Sequence, residues 1–257
     1  MINLKKLEIY GLETIPIIKE GDNIAKLIVE AATRENVGIQ EGDIVIIAQT
    51  IVSRSEGRII NLNEIEPSPF AKTLAEETGK DPRLVEVILR ESKGIVRMGS
   101  HHLIMETRHG FVCANSGVDR SNVPGEETVS LLPLDPDASA RKIRDEIKKL
   151  TGKDVAIIIS DTFGRPLREG AIGVAIGVAG IDPLYDMRGR KDLFGYELRT
   201  TIIAIADELA SAAELLMGES DEGIPVVIIR GLKYPKGECP IKKLLRPVEK
   251  DLSLIHI

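Results

Sequence analysis

Three apolar segments of the sequence each run into a polar segment that carries carboxylates, and these polar segments hold the residues best suited to chemistry. FVCANSGVDRSN contains Asp119 and Asn122, VAIIISDTFGRPLREG contains Asp161 and Thr162, and LLMGESDEGIP contains Glu219. Loops at the ends of rigid elements commonly carry active-site groups. We therefore predict that the three polar segments are loops that meet at one site.

The residue types in these loops indicate metal-assisted phosphate chemistry. Magnesium and manganese prefer oxygen ligands, so the acids and hydroxyls could hold one or two such ions. Cationic side chains that could hold phosphate oxygens follow in the sequence, at Arg165, Arg168, Arg188, Arg190 and Lys191. Any one of the acids taken alone is more often a loop cap or a solvated carboxylate. The joint pattern is what favours a functional site.

Several other classes of site and location are excluded or disfavoured. The chain has no GxxxxGK[ST] and no GxGxxG between a strand and a helix, so neither a P-loop nor a Rossmann motif is predicted. Gly173, Gly177 and Gly180 indicate close packing of small residues instead. A net charge of -6 argues against nucleic acid as a partner. With two distant cysteines, no signal peptide and no apolar run long enough to span a bilayer, we expect a cytoplasmic protein.

Hydrophobic periodicity predicts a mixture of helices and strands that positions these loops. Helices are predicted over 23–35, 70–78, 82–92, 138–150 and 200–217, the fourth of them capped by Asp137. Strands are predicted over 4–10, 43–48, 155–160 and 224–230, with a hairpin between 94 and 115 that turns at His109 and Gly110. The expected class is α+β, a mixed α/β fold.

Several ordered motifs give the chain a strong resemblance to a known family. NSGVDRSN, SDTFGRPLREG, GRKDLFGYEL and MGESDEGIPVVIIRG, preceded by IPIIKEGD and DIVIIAQTIVSRSEGR, resemble segments of the archaeal coenzyme F-420-0:L-glutamate ligases, also called gamma-glutamyl ligases. The resemblance covers nearly the whole chain. It implies a two-domain ligase-type fold and an intertwined homodimer.

The resemblance also implies an activity in coenzyme F-420 biosynthesis. GTP would activate the precursor F-420-0 as an acyl phosphate, L-glutamate would displace the phosphate, and a second glutamate would join the monoglutamyl product through a gamma linkage. The implied cofactors are two divalent ions per subunit, manganese or magnesium, and a potassium ion. Two alternatives stay open: a paralogous ligase that joins an amino acid to another carboxylate, and a nucleotide- or metal-binding module without turnover.

Carried over position by position, the resemblance assigns roles to residues of this chain. The implied metal ligands are Asp119 and Asp161 for one ion, and Thr162 and Glu219 for the other. The predicted catalytic residues are Asp119, Asp161 and Arg165. The predicted nucleotide contacts are Ile15, Pro16, Ile17, Ile18, Gln49, Thr50, Arg54, Asn122, Met217, Gly218, Glu219, Ser220, Asp221, Glu222, Gly223 and Ile224. Arg54 stands where the family usually has lysine, which keeps the charge and changes the geometry.

The domain division and the end of the chain complete these predictions. We predict a discontinuous nucleotide-contacting domain from residues 1–85 and 205–257, and an inserted domain, 86–204, that carries metal-binding loops. The last six residues, LSLIHI, depart from the family pattern and correspond in codons to a transposon end used in sequencing libraries. We therefore assign no functional weight to His256.

Overall fold

The computed structural model describes residues 6–250, in which helices and strands are mixed along the chain. Within these residues the α-helices are α1 (Ile24–Arg34), α2 (Gln49–Ser55), α3 (Pro69–Thr78), α4 (Pro82–Arg90), α5 (Pro136–Thr151) and α6 (Ile205–Met217). The strands are β1 (Glu8–Gly11), β2 (Ile44–Ala48), β3 (Ile59–Asn61), β4 (Ser92–Gly99), β5 (His102–Thr107), β6 (Val112–Ala114), β7 (Thr128–Ser130), β8 (Ala156–Arg165), β9 (Arg168–Ala179), β10 (Tyr185–Asp186), β11 (Ile202–Ile203) and β12 (Val226–Arg230). This mixture is consistent with the predicted α+β class. The sequence interpretation of the last six residues lies outside the described range.

A five-stranded sheet forms the centre of the molecule, with the strand order β1-β12-β2-β8-β9. Strands β2 and β8 run parallel, and the other neighbouring pairs are antiparallel. The central strands are rich in isoleucine and valine, whose branched side chains suit a buried pleated surface. Residues 44–47 and 226–229 are buried without interruption, as expected for strands covered on both faces.

Helices α5 and α6 pack closely against β9 because glycines leave room for them. A Cβ atom built on Gly173 would lie 2.7 Å from the carbonyl oxygen of Ala210 in α6, and one on Gly177 would lie 2.6 Å from the carbonyl oxygen of Pro136 in α5. Gly180 likewise adjoins the Arg144 side chain, at 2.7 Å. The prediction that these three glycines serve close packing is confirmed.

A second hydrophobic cluster lies apart from the one around the central sheet. It contains buried residues between Leu62 and Leu131, from α3, α4 and the strands β5 and β7. The larger cluster includes residues from Ala140 to Ile181, a stretch that we predicted to belong to the inserted domain. The predicted domain division, into 1–85 plus 205–257 and 86–204, stays a prediction. The two hydrophobic clusters group the residues differently from that division.

Side chains cap the amino-terminal ends of α1, α3, α4 and α5, and the cap of α5 differs from the predicted one. Ser68 and Asp81 cap α3 and α4, and each is followed by a proline in the first turn. The cap predicted for α5 was wrong, because Asp135, two residues earlier than expected, accepts a hydrogen bond from the Ala138 amide at 2.9 Å. Asp137 instead accepts a hydrogen bond from the Val178 amide of β9 at 2.8 Å.

The segment after Ser160 is a strand, and our prediction of a loop there was wrong. Strand β8 continues through Asp161 and Thr162 to Arg165, and then turns back into β9. The partner strand explains the difference: Asp161 pairs with Val174, and β9 lies within the Gly- and Ala-rich run that the sequence did not identify as a strand. Helix α2 was also missed, since Ala48 at its start offers no side-chain cap.

Within residues 6–250, none of the helices combines the length and the hydrophobicity that a membrane crossing would require.

Candidate functional site

A cavity of about 590 Å³ opens where β2 ends and its parallel pairing with β8 stops, at Ala48 and Ser160. Ala48 and Gln49 line it at the end of β2, and Ser160 and Asp161 line it from the adjacent strand, where Ala48 pairs with Ser160. Ligands of sheets with parallel strands commonly bind outside the carboxyl ends of those strands. The position of the cavity in the fold is therefore that of a ligand site.

The cavity brings together all three acidic segments and most of the residues predicted from the sequence. Its lining includes the predicted metal and nucleotide residues Ile15, Pro16, Ile17, Ile18, Gln49, Thr50, Arg54, Asp119, Asn122, Asp161, Thr162, Met217, Gly218, Glu219, Ser220, Gly223 and Ile224. Three predicted residues lie outside the lining: Arg165, Asp221 and Glu222. The structure thus places the predicted residues in one cavity, and their roles stay predictions.

The first acidic segment is held by its own hydrogen bonds and by a bridge to β7. The backbone of Asp119 exchanges hydrogen bonds with Ser130 at 2.8 and 3.1 Å. The amide of Ser121 donates to Asp119 Oδ1 at 3.1 Å, and the Ser121 hydroxyl donates to the other carboxylate oxygen. Asn122 Nδ2 reaches the carbonyl of Ser220 at 3.5 Å, which joins the first segment to the third.

The second and third segments meet through a direct hydrogen bond. The Thr162 hydroxyl donates to Glu219 Oε1 at 2.6 Å. Thr162 is fixed by pairing with Gly173 on β9, so its position depends on the rigid hairpin rather than on a loop. Two residues that we predicted to share one ion therefore lie in contact, on two different elements.

The third segment turns sharply at Gly218, the residue after α6. Gly218 has φ of +64°, and a Cβ atom there would collide with the carboxylate of Glu222. Glu222 Oε2 accepts a hydrogen bond from the Ser220 amide at 2.9 Å, which closes the loop. In this structure Glu222 stabilises the backbone that presents Glu219, which explains why it lies outside the cavity lining.

The carboxylates around the cavity disfavour one another's ionisation. Burial, together with the charges of Asp119 and Glu219, raises the pKa of Asp161 to about 7. Burial, contact with Glu219 and the charge of Asp161 raise the pKa of Glu214 to about 8. The acidic end of the cavity thus has an excess of negative charge that a cation would relieve.

Glu214 is the functional candidate that sequence reasoning missed. It lies in the last turn of α6 and lines the cavity, and its Oε1 atom is enclosed without a hydrogen-bond partner. A signal was present: Glu214 precedes Met217 by three residues, so the two side chains share one face of the helix. Ser121, Val123 and Pro124 also line the cavity, next to the predicted Asn122.

The donor set suits a divalent ion that is also held by a phosphate-bearing ligand. Among residues 6–250, no three His, Cys, Asp or Glu side chains lie close enough together to hold a metal by themselves. Magnesium is usually bound by one or two carboxylates plus substrate phosphates and water. Pairs such as Asp119 with Asp161, or Thr162 with Glu219, fit that mode, and the mutual repulsion of the acids favours a cation.

The other end of the cavity carries a cation that no acid neutralises in the described part of the chain. Arg54 lines the cavity from α2, and its Nε atom is enclosed without a hydrogen-bond partner. Burial lowers the pKa of its guanidinium, and an anion would offset that loss of hydration. Gln49, at the start of the same helix, also lines the cavity; it is buried, and its Oε1 accepts a hydrogen bond from the Ser53 hydroxyl at 2.9 Å.

The predicted cationic residues of the 165–191 segment are not gathered in the cavity lining. Arg165 ends β8, and its Nη2 donates to the carbonyl of Glu169 at 3.3 Å. Arg188 is paired with Asp186 at 2.6 Å, and Arg190 lies 4.8 Å from the centre of the Tyr185 ring. Contact of these side chains with an acidic substrate stays a prediction.

Comparison with known proteins agrees with the family resemblance of the motifs. The F420-0:Gamma-glutamyl ligase family matches residues 13–231. Proteins named coenzyme F420:L-glutamate ligase are similar over nearly their full length. The relative from Methanothermobacter thermautotrophicus is 53% identical over 96% of this chain and 98% of its own. The relative from Methanocaldococcus jannaschii is 54% identical over 96% and 97%, and that from Methanopyrus kandleri 56% identical over 94% and 96%. This chain therefore belongs to the F420-0:Gamma-glutamyl ligase family of enzymes.

Proposed function

We propose that this chain is a GTP-dependent ligase that adds L-glutamate to F-420-0 and then a second, gamma-linked glutamate to the monoglutamyl product. The observation that carries the proposal is one cavity in which three acidic segments meet Arg54, an arginine that has no acidic partner within residues 6–250. The names of the relatives, which match this chain nearly end to end, supply the substrates. A nucleotide needs both a cationic group for its phosphates and acids that can hold a divalent ion, and the cavity offers both.

The reaction proceeds in two steps that share the cavity. A carboxylate oxygen of F-420-0 attacks the terminal phosphorus of GTP, so that an acyl phosphate forms and the bond to GDP breaks. The amino nitrogen of L-glutamate then attacks the acyl carbon, a carbon–nitrogen bond forms, and phosphate leaves. The ammonium group loses two protons overall, of which one leaves with the phosphate as hydrogenphosphate and the other passes to solvent. Both steps build up negative charge on oxygens, so fixed charges in the cavity lower the barrier.

The residues of the chain divide this work between the two ends of the cavity. Arg54 binds nucleotide phosphate oxygens, and the loop from Ile15 to Ile18, together with Gln49 and Thr50, contacts the rest of the nucleotide. Asp119, Asp161, Thr162 and Glu219 hold the divalent ions, either manganese or magnesium. When bound, these ions neutralise phosphate charge and polarise the reacting oxygens. Asn122 joins the loops around the nucleotide through its contact with Ser220.

The proposal includes the potassium ion and the homodimer that the resemblance implies. Leu193 and Phe194, between β10 and β11, are 99% and 97% exposed, and a second copy of the chain would remove such apolar side chains from water. Light scattering of the purified protein tests the homodimer, since a particle of one chain's mass would contradict it.

Turnover with the proposed substrates tests the function itself. Purified protein is incubated with F-420-0, L-glutamate, GTP, manganese and potassium, and GDP release and product mass are followed together. Equal amounts of GDP and glutamyl adducts are expected. GDP release only when another carboxylate replaces F-420-0 would favour a paralogous ligase. The absence of GDP release with every carboxylate would favour a binding module.

A further inference from the structure

Glu214 is a cavity residue to which the proposed reaction has so far assigned no task. It projects from the last turn of α6 and is half-buried. Its Oε1 atom is enclosed, and no hydrogen-bond donor in the described part of the chain reaches it. A carboxylate oxygen that loses water without gaining a hydrogen-bond donor destabilises the folded state. A donor from a bound ligand would remove that cost.

The surroundings of Glu214 narrow the kind of donor that fits. Its nearest charged neighbours are the acids Glu219, Asp161 and Glu222. Across residues 6–250, neither Glu214 nor Asp161 nor Glu219 forms an ion pair with a lysine or an arginine, and the side-chain hydroxyl of Thr162 serves Glu219 instead. The missing partner is therefore cationic, it carries hydrogens, and it lies beside the acids that face the reacting groups.

We propose that Glu214 binds the ammonium group of the incoming amino acid. This inference rests on the proposed function, in which an amino nitrogen must reach an acyl carbon next to Asp161 and Thr162. Glu214 lines the same cavity as both residues, on a rigid helix rather than on a loop. An ammonium group supplies up to three donors and a positive charge, which together match an enclosed oxygen among carboxylates.

A metal ion is the competing cation, and the geometry favours it less. Within residues 6–250 no three acids or other metal-ligating side chains are arranged to hold an ion by themselves, and the pairs of metal ligands proposed above do not require Glu214 as a further ligand. The Thr162–Glu219 contact lets these two residues serve one ion without Glu214. Glu214 therefore binds the ammonium group, and other groups of the cavity bind the rest of the amino acid.

The test compares a ligand that has the amino group with one that lacks it. The protein is loaded with manganese and GDP, and the binding of L-glutamate and of glutarate is measured by calorimetry for the wild type and for Glu214→Gln. Glutarate has the same two carboxylates and no amine. We expect the wild-type preference for L-glutamate to fall by about tenfold or more in the variant, the scale of a lost charge-assisted hydrogen bond. Affinity for glutarate should not fall.

Matched variants separate this role from a structural one. Glu208→Gln removes an exposed acid from the same helix and should leave the preference unchanged. Glu214→Asp keeps the charge, draws it back by one methylene, and should give an intermediate preference. A Glu214→Gln protein that keeps the full preference for L-glutamate would overturn the inference. A variant that needs much more manganese, with its preference intact, would overturn it in favour of metal binding.

The same measurements distinguish this inference from the proposed function. Suppose that the wild type forms no adduct with F-420-0 while Glu214→Gln still loses its preference for L-glutamate. In that case F-420-0 is not the acceptor, and the role of Glu214 stands. If adducts form normally and the preference does not change, the function stands and the role of Glu214 is refuted.

Discussion

The acids at the two ends of the parallel pair β2 and β8 differ in whether arginines of the chain balance their charge. At the amino ends, Asp43 immediately precedes β2 and Asp154 lies two residues before β8. Each is paired with an arginine at 2.8 Å. At the carboxyl ends, Asp161 faces the cavity among other acids, and no ion pair to it is present in residues 6–250. Both ends carry acids, and one end alone has its charges balanced by the chain.

This difference separates charge that serves the fold from charge that serves a ligand. Asp43 is 1% exposed, and its carboxylate accepts hydrogen bonds from Arg230 and from the amide of Gln40, so its charge is fully satisfied within the fold. Burial and the neighbouring acids Asp119 and Glu219 raise the pKa of Asp161, and no cation in residues 6–250 offsets them. Proteins depart from internal consistency mainly at functional sites, and the unbalanced end is where the cavity lies.

The largest expected effect is the loss of turnover when the unbalanced acid is neutralised. Asp161→Asn keeps the shape of the side chain and removes its charge, and we expect kcat to fall by about 100-fold or more, the scale of removing one electrostatic group from an active site. The free energy of unfolding without metal should not fall, since a repelled acid is removed. Kinetics and urea denaturation on one preparation check both expectations.

A surface substitution provides the control for this experiment. Asp145→Asn removes an exposed acid from α5 and should leave kcat unchanged. An Asp161→Asn protein with wild-type turnover would show that the unbalanced end is not the active site. A variant with a much lower free energy of unfolding would instead place Asp161 among the structural acids, with Asp43.

The next effect, on stability, comes from the balanced end. Asp43→Ala leaves Arg230, only 14% exposed, without its carboxylate, and we expect the free energy of unfolding to fall by about 3 kcal/mol. Glu8→Gln breaks the exposed pair with Lys6 and should change the free energy of unfolding far less, because solvent screens that pair. Urea denaturation measures both. Equal effects of the two substitutions would remove the distinction between a structural pair and a surface pair.

Sequence patterns predicted the elements that bury a continuous apolar surface. Helix α6 and strands β2 and β12 have strong periodicity or unbroken β-branched runs, and all three are present, although α6 begins at Ile205 rather than at residue 200 because Ile202 and Ile203 form β11. The cavity could be anticipated because its acids follow such elements, and because the family motifs named the remaining residues. Propensity and periodicity are informative where burial is extensive.

The features that the sequence did not reveal depend on long-range pairing. The hairpin extends past Ser160 because β9 pairs with it, and a Gly- and Ala-rich run such as β9 has little strand propensity of its own. Helix α2 has seven residues and no capping side chain, so no local signal marks it. Glu214 was overlooked because a single acid on a helix is ordinarily solvated, and only the fold shows that it faces the cavity.

The smallest expected effect is a change of stability with pH in the absence of metal. Asp161 and Glu214 have pKa values of about 7 and 8 in the folded chain, while ordinary values near 4 apply to the unfolded chain. The folded state therefore binds more protons between about pH 4 and pH 8, so their contribution to stability is lost as pH rises through that range. About 1 kcal/mol is expected, since both side chains keep some contact with solvent.

The measurement isolates this contribution by subtraction. Urea denaturation in a chelating buffer at pH 5 and pH 8 is carried out on the wild type and on Asp161→Asn, and the difference between the two proteins reports the titration of Asp161 and its effect on Glu214. Relative to the variant, the wild type should lose stability as pH rises. Manganese should reverse that trend, because the metal binds the deprotonated acids. A wild type that instead gained stability with pH without metal would mean that Asp161 is already balanced within the chain, like Asp43, and the contrast between the two ends of β2 and β8 would not hold.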